Sequence, residues 1–210
     1  MKAIILGATG LVGRFILEIA LEREEITEVV VFSRRSTGLN HQKLQEVIVD
    51  FKQIDSWKDQ IQGDILFSAL GTTLKTAGSQ AKQFEIDHDF QLFAAMAAAA
   101  NGVKTYILIS SLNANKESKF FYLRMKGELE DKIKNLSFSS TAILRPGPLF
   151  GKREKPRLNE VIFNKFLRIL PSSFVSSSIH PVSAEKVARM SVKLALEQKE
   201  GIRIVTDFDS

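Results

Sequence analysis

Cysteine is absent from the sequence, which excludes disulfides, thiolate catalysis and zinc–sulfur centres and leaves the redox compartment undecided. Long apolar runs are absent as well. The alanine-rich stretch from Ala94 to Ala100 falls far short of the roughly 20 residues a membrane span needs. At the start, Met1-Lys2 and the apolar Ala3 to Leu6 break into glycines too early for a secretory signal, and a first β-strand accounts for them better. No internal repeat and no linker interrupts the 210 residues, a length that suits one α/β domain with a full core. Neither sign of charge dominates, the net being +5. The basic residues Lys152, Arg153, Lys155, Arg157, Lys165 and Arg168 do cluster, against only Glu154 and Glu160. They lack the aromatic interleaving or base-reading pattern of a nucleic-acid face, so solvated surface or attraction for an anionic cofactor or substrate is the expectation. Histidine is scarce too. His88 lies between Asp87 and Asp89 without a second ligand cluster and reads as surface or helix-edge polarity, His41 and His180 have no better partners, and no metal site is expected. A cytoplasmic location is the default expectation.

What is present begins with Ile4-Ile5-Leu6-Gly7-Ala8-Thr9-Gly10-Leu11-Val12-Gly13, an apolar strand emptying into three glycines spaced three apart. In a strand-turn-helix unit, Gly7 makes the tight turn, Gly10 lets backbone approach a pyrophosphate, and Gly13 lets helix pack on strand. The helix start then offers unpaired N–H groups and partial positive charge to an anion. Helical spacing continues through Phe15, Ile16, Ile19 and Ala20, and Glu28 to Ser33 is a β-branched run suited to a strand buried on both faces. At the end of that second strand, where a carboxylate would hold a ribose 2′-OH, stand Ser33, Arg34 and Arg35. Two guanidiniums there match a 2′-phosphate, which points to NADPH/NADP+ in preference to NADH.

Further strands are predicted at Glu46 to Asp50, Ile65 to Leu70, Thr105 to Ser110, Ser140 to Leu144 and Gly201 to Thr206. Their carboxyl ends deliver the remaining candidates for cofactor contact. These are Asp50 and Phe51, with Asp50 either accepting from an adenine amine or capping the next turn; Leu70, Gly71, Thr72 and Thr73; Ser110; and the turn at Pro146 and Gly147. A helix is predicted from Gln80 to Asn101 with its phenylalanines in the core. In the segment Phe120 to Lys126, Tyr122 and Lys126 lie four apart on one helical face. A neighbouring ammonium favours the phenolate, so the pair suits proton transfer, with Lys126 also holding the nicotinamide ribose. Ser111 would donate to a substrate carbonyl or alkoxide oxygen, Tyr122 would move the proton, and the cofactor would carry the hydride.

Taken together, GATGLVG, FSRR, VDF, LGTT, ISS, FYLRMKGE and LRPG resemble, nearly end to end, the HIV Tat-interacting-protein oxidoreductase family, an atypical branch of the short-chain dehydrogenase/reductases. The resemblance implies a Rossmann-like NADPH-binding domain with a Ser-Tyr-Lys site, carried here by Gly7, Gly10, Gly13, Arg34, Arg35, Ser111, Tyr122 and Lys126. Extended members of the superfamily carry a larger C-terminal substrate domain, whereas this chain has only a short insertion at 151–178, which speaks against sugar-nucleotide epimerase chemistry. Within that insertion a helix is predicted from Arg157 to Leu170, with Leu158, Ile162, Phe166 and Ile169 on one face. The face either covers the substrate cleft, meets a protein partner or second copy, or packs on the domain. The expected fold is a single doubly wound α/β domain of strand order 3-2-1-4-5-6, extended by a strand near Ile204. The expected activity is hydride transfer between NADPH and a small carbonyl or alcohol of unread identity. The alternative is a redox-responsive regulatory module for which NADPH is a bound signal.

Overall fold

The computed structural model describes residues 1–151 and 181–208. Seven parallel strands form one sheet in the order β3-β2-β1-β4-β5-β6-β9. They are β1 (Lys2–Leu6), β2 (Glu28–Ser33), β3 (Leu44–Ile48), β4 (Ile65–Ser68), β5 (Thr105–Ile109), β6 (Ser140–Leu144) and β9 (Gly201–Val205). A two-residue pair, β7 (Leu149–Phe150) with β8 (Val182–Ser183), forms a separate parallel ribbon. The expected order is therefore observed, including the final strand beyond the sixth. β3 begins and ends two residues before its predicted place, because the Asp50 carboxylate accepts the Lys52 N–H at 3.0 Å and starts a 3₁₀ turn over Phe51–Ser56.

The inner strands β1, β2, β4, β5 and β6 are largely apolar and buried because both of their faces are covered, whereas the edge strands β3 and β9 are partly exposed. Ala3 and Ile5 of β1 point to α1 (Leu11–Glu22) and α6 (Ala184–Glu197), while Ile4 and Leu6 point to Phe51, Trp57, α4 (Phe90–Ala100) and α5 (Phe121–Ile133). This period-two alternation divides the core into two layers. Trp57 is anchored in the second layer by stacking on Phe32 and by donating its indole N–H to the Asp50 carbonyl at 3.0 Å.

The predicted single helix over 80–101 is three pieces: α3 (Gln80–Phe84), a π turn (Glu85–Asp89) and α4. A π turn inserts one residue into the helical register, so the faces before and after it no longer align. Asp87, His88 and Gln91 are consequently buried, while Phe93 is 45% and Met96 50% exposed. This reverses two expectations, since His88 is interior and Phe93 is not core. The His88 ring stacks on Phe84, and its Nδ1 lies 2.7 Å from Asp89 Oδ1. No helix among the described residues is long and apolar enough to cross a membrane. The predicted insertion at 151–178, Gly151 excepted, and the predicted helix at 157–170 lie outside the described residues.

Candidate functional site

The carboxyl edge of the sheet gathers the ends of β1, β2, β4, β5 and β6, where ligands of open parallel sheets bind. Gly7 has φ +85, and a Cβ there would lie 2.4 Å from the Ala69 carbonyl oxygen. A Cβ on Gly13 would lie 2.1 Å from the Gly7 oxygen. Both glycines are thus demanded by backbone closing on backbone, and the closure places the start of α1 directly beyond β1. Gly10 caps α1 without any side-chain hydrogen bond, which leaves the first-turn N–H groups of α1 open to an anion. Ala8 and Val12 are buried in the core, Thr9 and Gly10 are exposed, and Leu11 is half-buried, so this loop presents mainly backbone to a ligand.

Arg34 and Arg35 are exposed beyond β2 and form no ion pair among the described residues. The neighbouring Ser33 is buried, with its hydroxyl donating to the Arg35 carbonyl at 2.6 Å. Asp50 takes the capping role of its two predicted roles, and the Phe51 ring is buried edge-on to Trp57 and stacked on Phe90. Leu70 is half-buried against the second core layer, Gly71 is exposed, and the Thr73 hydroxyl caps the short helix α2 (Leu74–Ala77). The Thr72 N–H donates to Asp87 Oδ1 at 2.7 Å. Ser110 is buried with its hydroxyl on Glu130, while Pro146 accepts the Leu112 N–H at 2.9 Å and ties the turn of Pro146 and Gly147 to the loop after β5.

The Ser111, Tyr122 and Lys126 constellation is brought together at this edge. Tyr122 and Lys126 lie in the first two turns of α5, Tyr122 is half-buried, and the Ser111 hydroxyl donates to the Leu112 carbonyl at 3.3 Å. The electrostatics differ from expectation. Burial pushes the phenol pKa up and the Asp87 carboxylate pushes it further, against a smaller lowering by Ser111, so Tyr122 is held protonated rather than as a phenolate. Lys126 is 3% exposed, and burial holds its ammonium pKa below the ordinary value despite opposing support from Asp87 and Glu130. Its nearby charges are thus two carboxylates. Among the described residues Lys126 makes no hydrogen bond, which leaves its N–H donors for ligand hydroxyls.

Asp87 is the member of this site that sequence spacing did not reveal. It is 1% exposed, and burial raises its carboxyl to about 6 against the lowering effects of Lys126, the Thr72 N–H and Gln83. A buried carboxylate kept beside a lysine and a tyrosine is a mark of functional sites. Behind it, Glu130 is 1% exposed and is gripped by Arg145, whose Nε lies 3.0 and 3.2 Å from its two oxygens. This pair joins α5 to the end of β6, and Ser110 joins it to β5.

Gly127, next to Lys126, is a second omission. A Cβ there would sit 2.2 Å from the Lys116 nitrogen and 2.3 Å from the Asn115 carbonyl carbon, because the loop after Ser111 crosses α5 at this point. The Asn115 N–H donates to the Leu123 carbonyl at 3.1 Å in the same crossing. The available signal was a glycine inside a helix, which costs about 1 kcal/mol relative to alanine and marks close backbone approach. We expect Gly127→Ala to lower unfolding free energy by roughly 1–3 kcal/mol through overpacking, as read by urea denaturation. An unchanged midpoint would show that the crossing is not tight.

The glycine-lined edge and the doubly wound parallel sheet define an NAD(P)-binding Rossmann-type protein. The chain belongs to the NAD(P)H-binding family, whose model matches residues 7–198. It is 40% identical over 202 residues to "Protein FMP52, mitochondrial" of Meyerozyma guilliermondii, covering 94% of this chain and 86% of that protein. Among solved structures it resembles MoeE5 in complex with UDP-glucose and NAD, with TM-score 0.74 and 13% identity over 99% of this chain and 76% of the other. It also resembles the oxidoreductase ylbE of Lactococcus lactis, with TM-score 0.71 and 17% identity over 98% and 90% of the two chains. At such identities these two likenesses establish the fold. The cytoplasmic expectation is overturned by the mitochondrial naming of the yeast relative. That expectation rested on composition alone, and neither composition nor the lack of cysteine reports compartment here.

Proposed function

We propose that the protein is an NADPH-dependent oxidoreductase of the short-chain dehydrogenase/reductase type that reduces a small carbonyl compound. The observation that carries this reading is the placement of Ser111, Tyr122 and the buried Lys126 together at the carboxyl edge of the sheet, beside the glycine loop. The protonated phenol is the group there that can pass a proton to a carbonyl oxygen. When bound, the dinucleotide supplies the hydride from its nicotinamide. Ser111 donates a hydrogen bond to the carbonyl oxygen, and Tyr122 passes its phenolic proton to that oxygen as the alcohol forms. Lys126 holds ribose hydroxyls with its spare N–H donors, and the backbone from Gly7 to Gly13 with the start of α1 seats the pyrophosphate. Arg34 and Arg35 select the 2′-phosphate. The open start of α1 and the exposed Arg34 and Arg35, which form no ion pair among the described residues, fit this cofactor. The resemblance to the Tat-interacting-protein oxidoreductases supports the same assignment.

The charge pattern around Lys126 favours a second reading. Because Asp87 and Glu130 face this lysine, the ammonium is not committed to lowering the Tyr122 pKa, as suits a module that binds NADPH without turnover. The two readings separate on NADPH consumption with a panel of small aldehydes and ketones. Substrate-dependent oxidation of NADPH is expected, whereas tight NADPH binding with no turnover across the panel would establish the regulatory reading.

A further inference from the structure

The loop that carries Arg34 and Arg35 is tethered from three sides, and one tether comes from a residue outside the site described above. Glu46 sits at the middle of β3, paired in register with Val31 of β2. Its Oε1 accepts the Thr37 N–H at 2.6 Å, and its Oε2 accepts the Ser36 hydroxyl at 2.7 Å. Both oxygens are thereby committed to the two residues that follow Arg35. Ser36 turns the chain further by accepting the Gly38 N–H at 3.0 Å, with Gly38 at φ +76. The second tether is Ser33, through the Arg35 carbonyl. The third is Arg14, one residue past Gly13, which donates to the Thr37 carbonyl at 3.1 Å while its Nε holds Glu18 at 2.7 Å. The arginine loop is thus fastened both to the neighbouring strand and to the helix whose start seats the pyrophosphate.

We propose that Glu46 is a positioning residue for dinucleotide selectivity: it holds the Arg34–Arg35 loop in the form that receives a 2′-phosphate. The proposal rests on the NADPH reading above. Immobilising a flexible, two-arginine loop at the moment of binding would cost affinity for each side chain ordered, and a loop already fastened avoids the backbone part of that cost. Glu46 remains a carboxylate at neutral pH. Burial pushes its pKa up, but the hydrogen bonds from Thr37 and Ser36 more than offset that, and the net shift is downward. Its charge would oppose an incoming phosphate if it faced the ligand. Both oxygens are instead directed at loop groups that they hydrogen-bond, so the positioning effect outweighs the repulsion. NADH lacks the phosphate and gains little from the fixed arginines, so the effect falls on the ratio of the two affinities.

The test is equilibrium binding of NADPH and of NADH, by nicotinamide fluorescence, to wild type, Glu46→Ala, Glu46→Gln and Ser36→Ala, with melting curves for each. Wild type should favour NADPH. Glu46→Ala should lose about tenfold of that preference, by weakening NADPH while leaving NADH within about twofold. Glu46→Gln keeps an acceptor for the Thr37 N–H and should retain most of the preference, and Ser36→Ala should lose a smaller part. If Glu46→Ala does not fold, the Glu46→Gln and Ser36→Ala ratios carry the decision. Equal weakening of both dinucleotides, no change in the ratio, or tighter NADPH binding on removing the charge would each overturn the proposal. Equal affinities in the wild type would overturn the NADPH reading itself, and the role of Glu46 with it.

Discussion

Tyr122→Phe is expected to lower kcat by roughly 10²–10⁴-fold, the usual contribution of a positioned general acid, while NADPH affinity stays within about twofold. The variant removes one hydroxyl and keeps the ring, so packing at the start of α5 is preserved. The Ser111 hydroxyl keeps its hydrogen bond to the Leu112 carbonyl. Ser111→Ala should give a smaller fall, because the carbonyl oxygen loses a hydrogen bond but keeps its proton donor. Steady-state kinetics with a substrate from the carbonyl panel, beside fluorescence titration of NADPH, measures both quantities. A variant that turned over at the full rate would remove Tyr122 from the mechanism. One that lost NADPH binding as well would show that the phenol serves the cofactor and not the substrate.

The second large effect concerns Asp87. Its carboxyl is raised from an ordinary 3.8 to about 6 by burial, with Lys126, Thr72 and Gln83 opposing. The sign follows from linkage. A carboxyl that binds its proton more tightly in the folded than in the unfolded protein contributes stability below pH 4, and this is lost as pH rises through about 6. At about 1.4 kcal/mol per pKa unit, the charged group costs on the order of 2–3 kcal/mol at neutral pH relative to acid. Asp87→Asn has no such proton, so its stability relative to wild type should rise by about that amount between pH 4 and 7. Denaturant unfolding at a series of pH values measures the difference, and a flat curve would refute the assignment. The same variant should turn over more slowly, because Lys126 loses one of the two carboxylates that support its ammonium.

Much of this was legible because it is local. The glycine loop, the two arginines and the Tyr122–Lys126 pair each depend on a few consecutive residues, and the parallel sheet follows from apolar runs that alternate with amphipathic helices. His88, expected at the surface or helix edge, and Asp87, to which the sequence gives no role, are both interior, and the π turn at Glu85–Asp89 breaks the regular 3.6-residue period that the apolar spacing from Gln80 suggests. The same break turned Phe93 outward. The Tyr122 electrostatics were unreadable for another reason. The spacing of Tyr122 and Lys126 announces a cation, whereas the carboxylate of Asp87 arrives from a helix about 35 residues earlier that only the tertiary fold brings near. Glu46 likewise looks like an ordinary polar position in a strand until the β2–β3 loop is seen folded over it.

The strand order also sets the pace at which the molecule can form. Every neighbouring pair in the main sheet is parallel, so no two strands can join through a tight hairpin. β1, an inner strand, acquires its second neighbour only when β4 has been reached, and Ser140 of β6 must wait for Gly201. Each such closure spends chain entropy before the contacts reward it, which places sheets of this kind among the slower folders. A nascent chain in which β9 has not yet been made would leave β6 with an open edge, its buried residues Ala142 and Ile143 short of the partners Arg203 and Ile204. Synthesis of β9 is therefore the step that closes this side of β6.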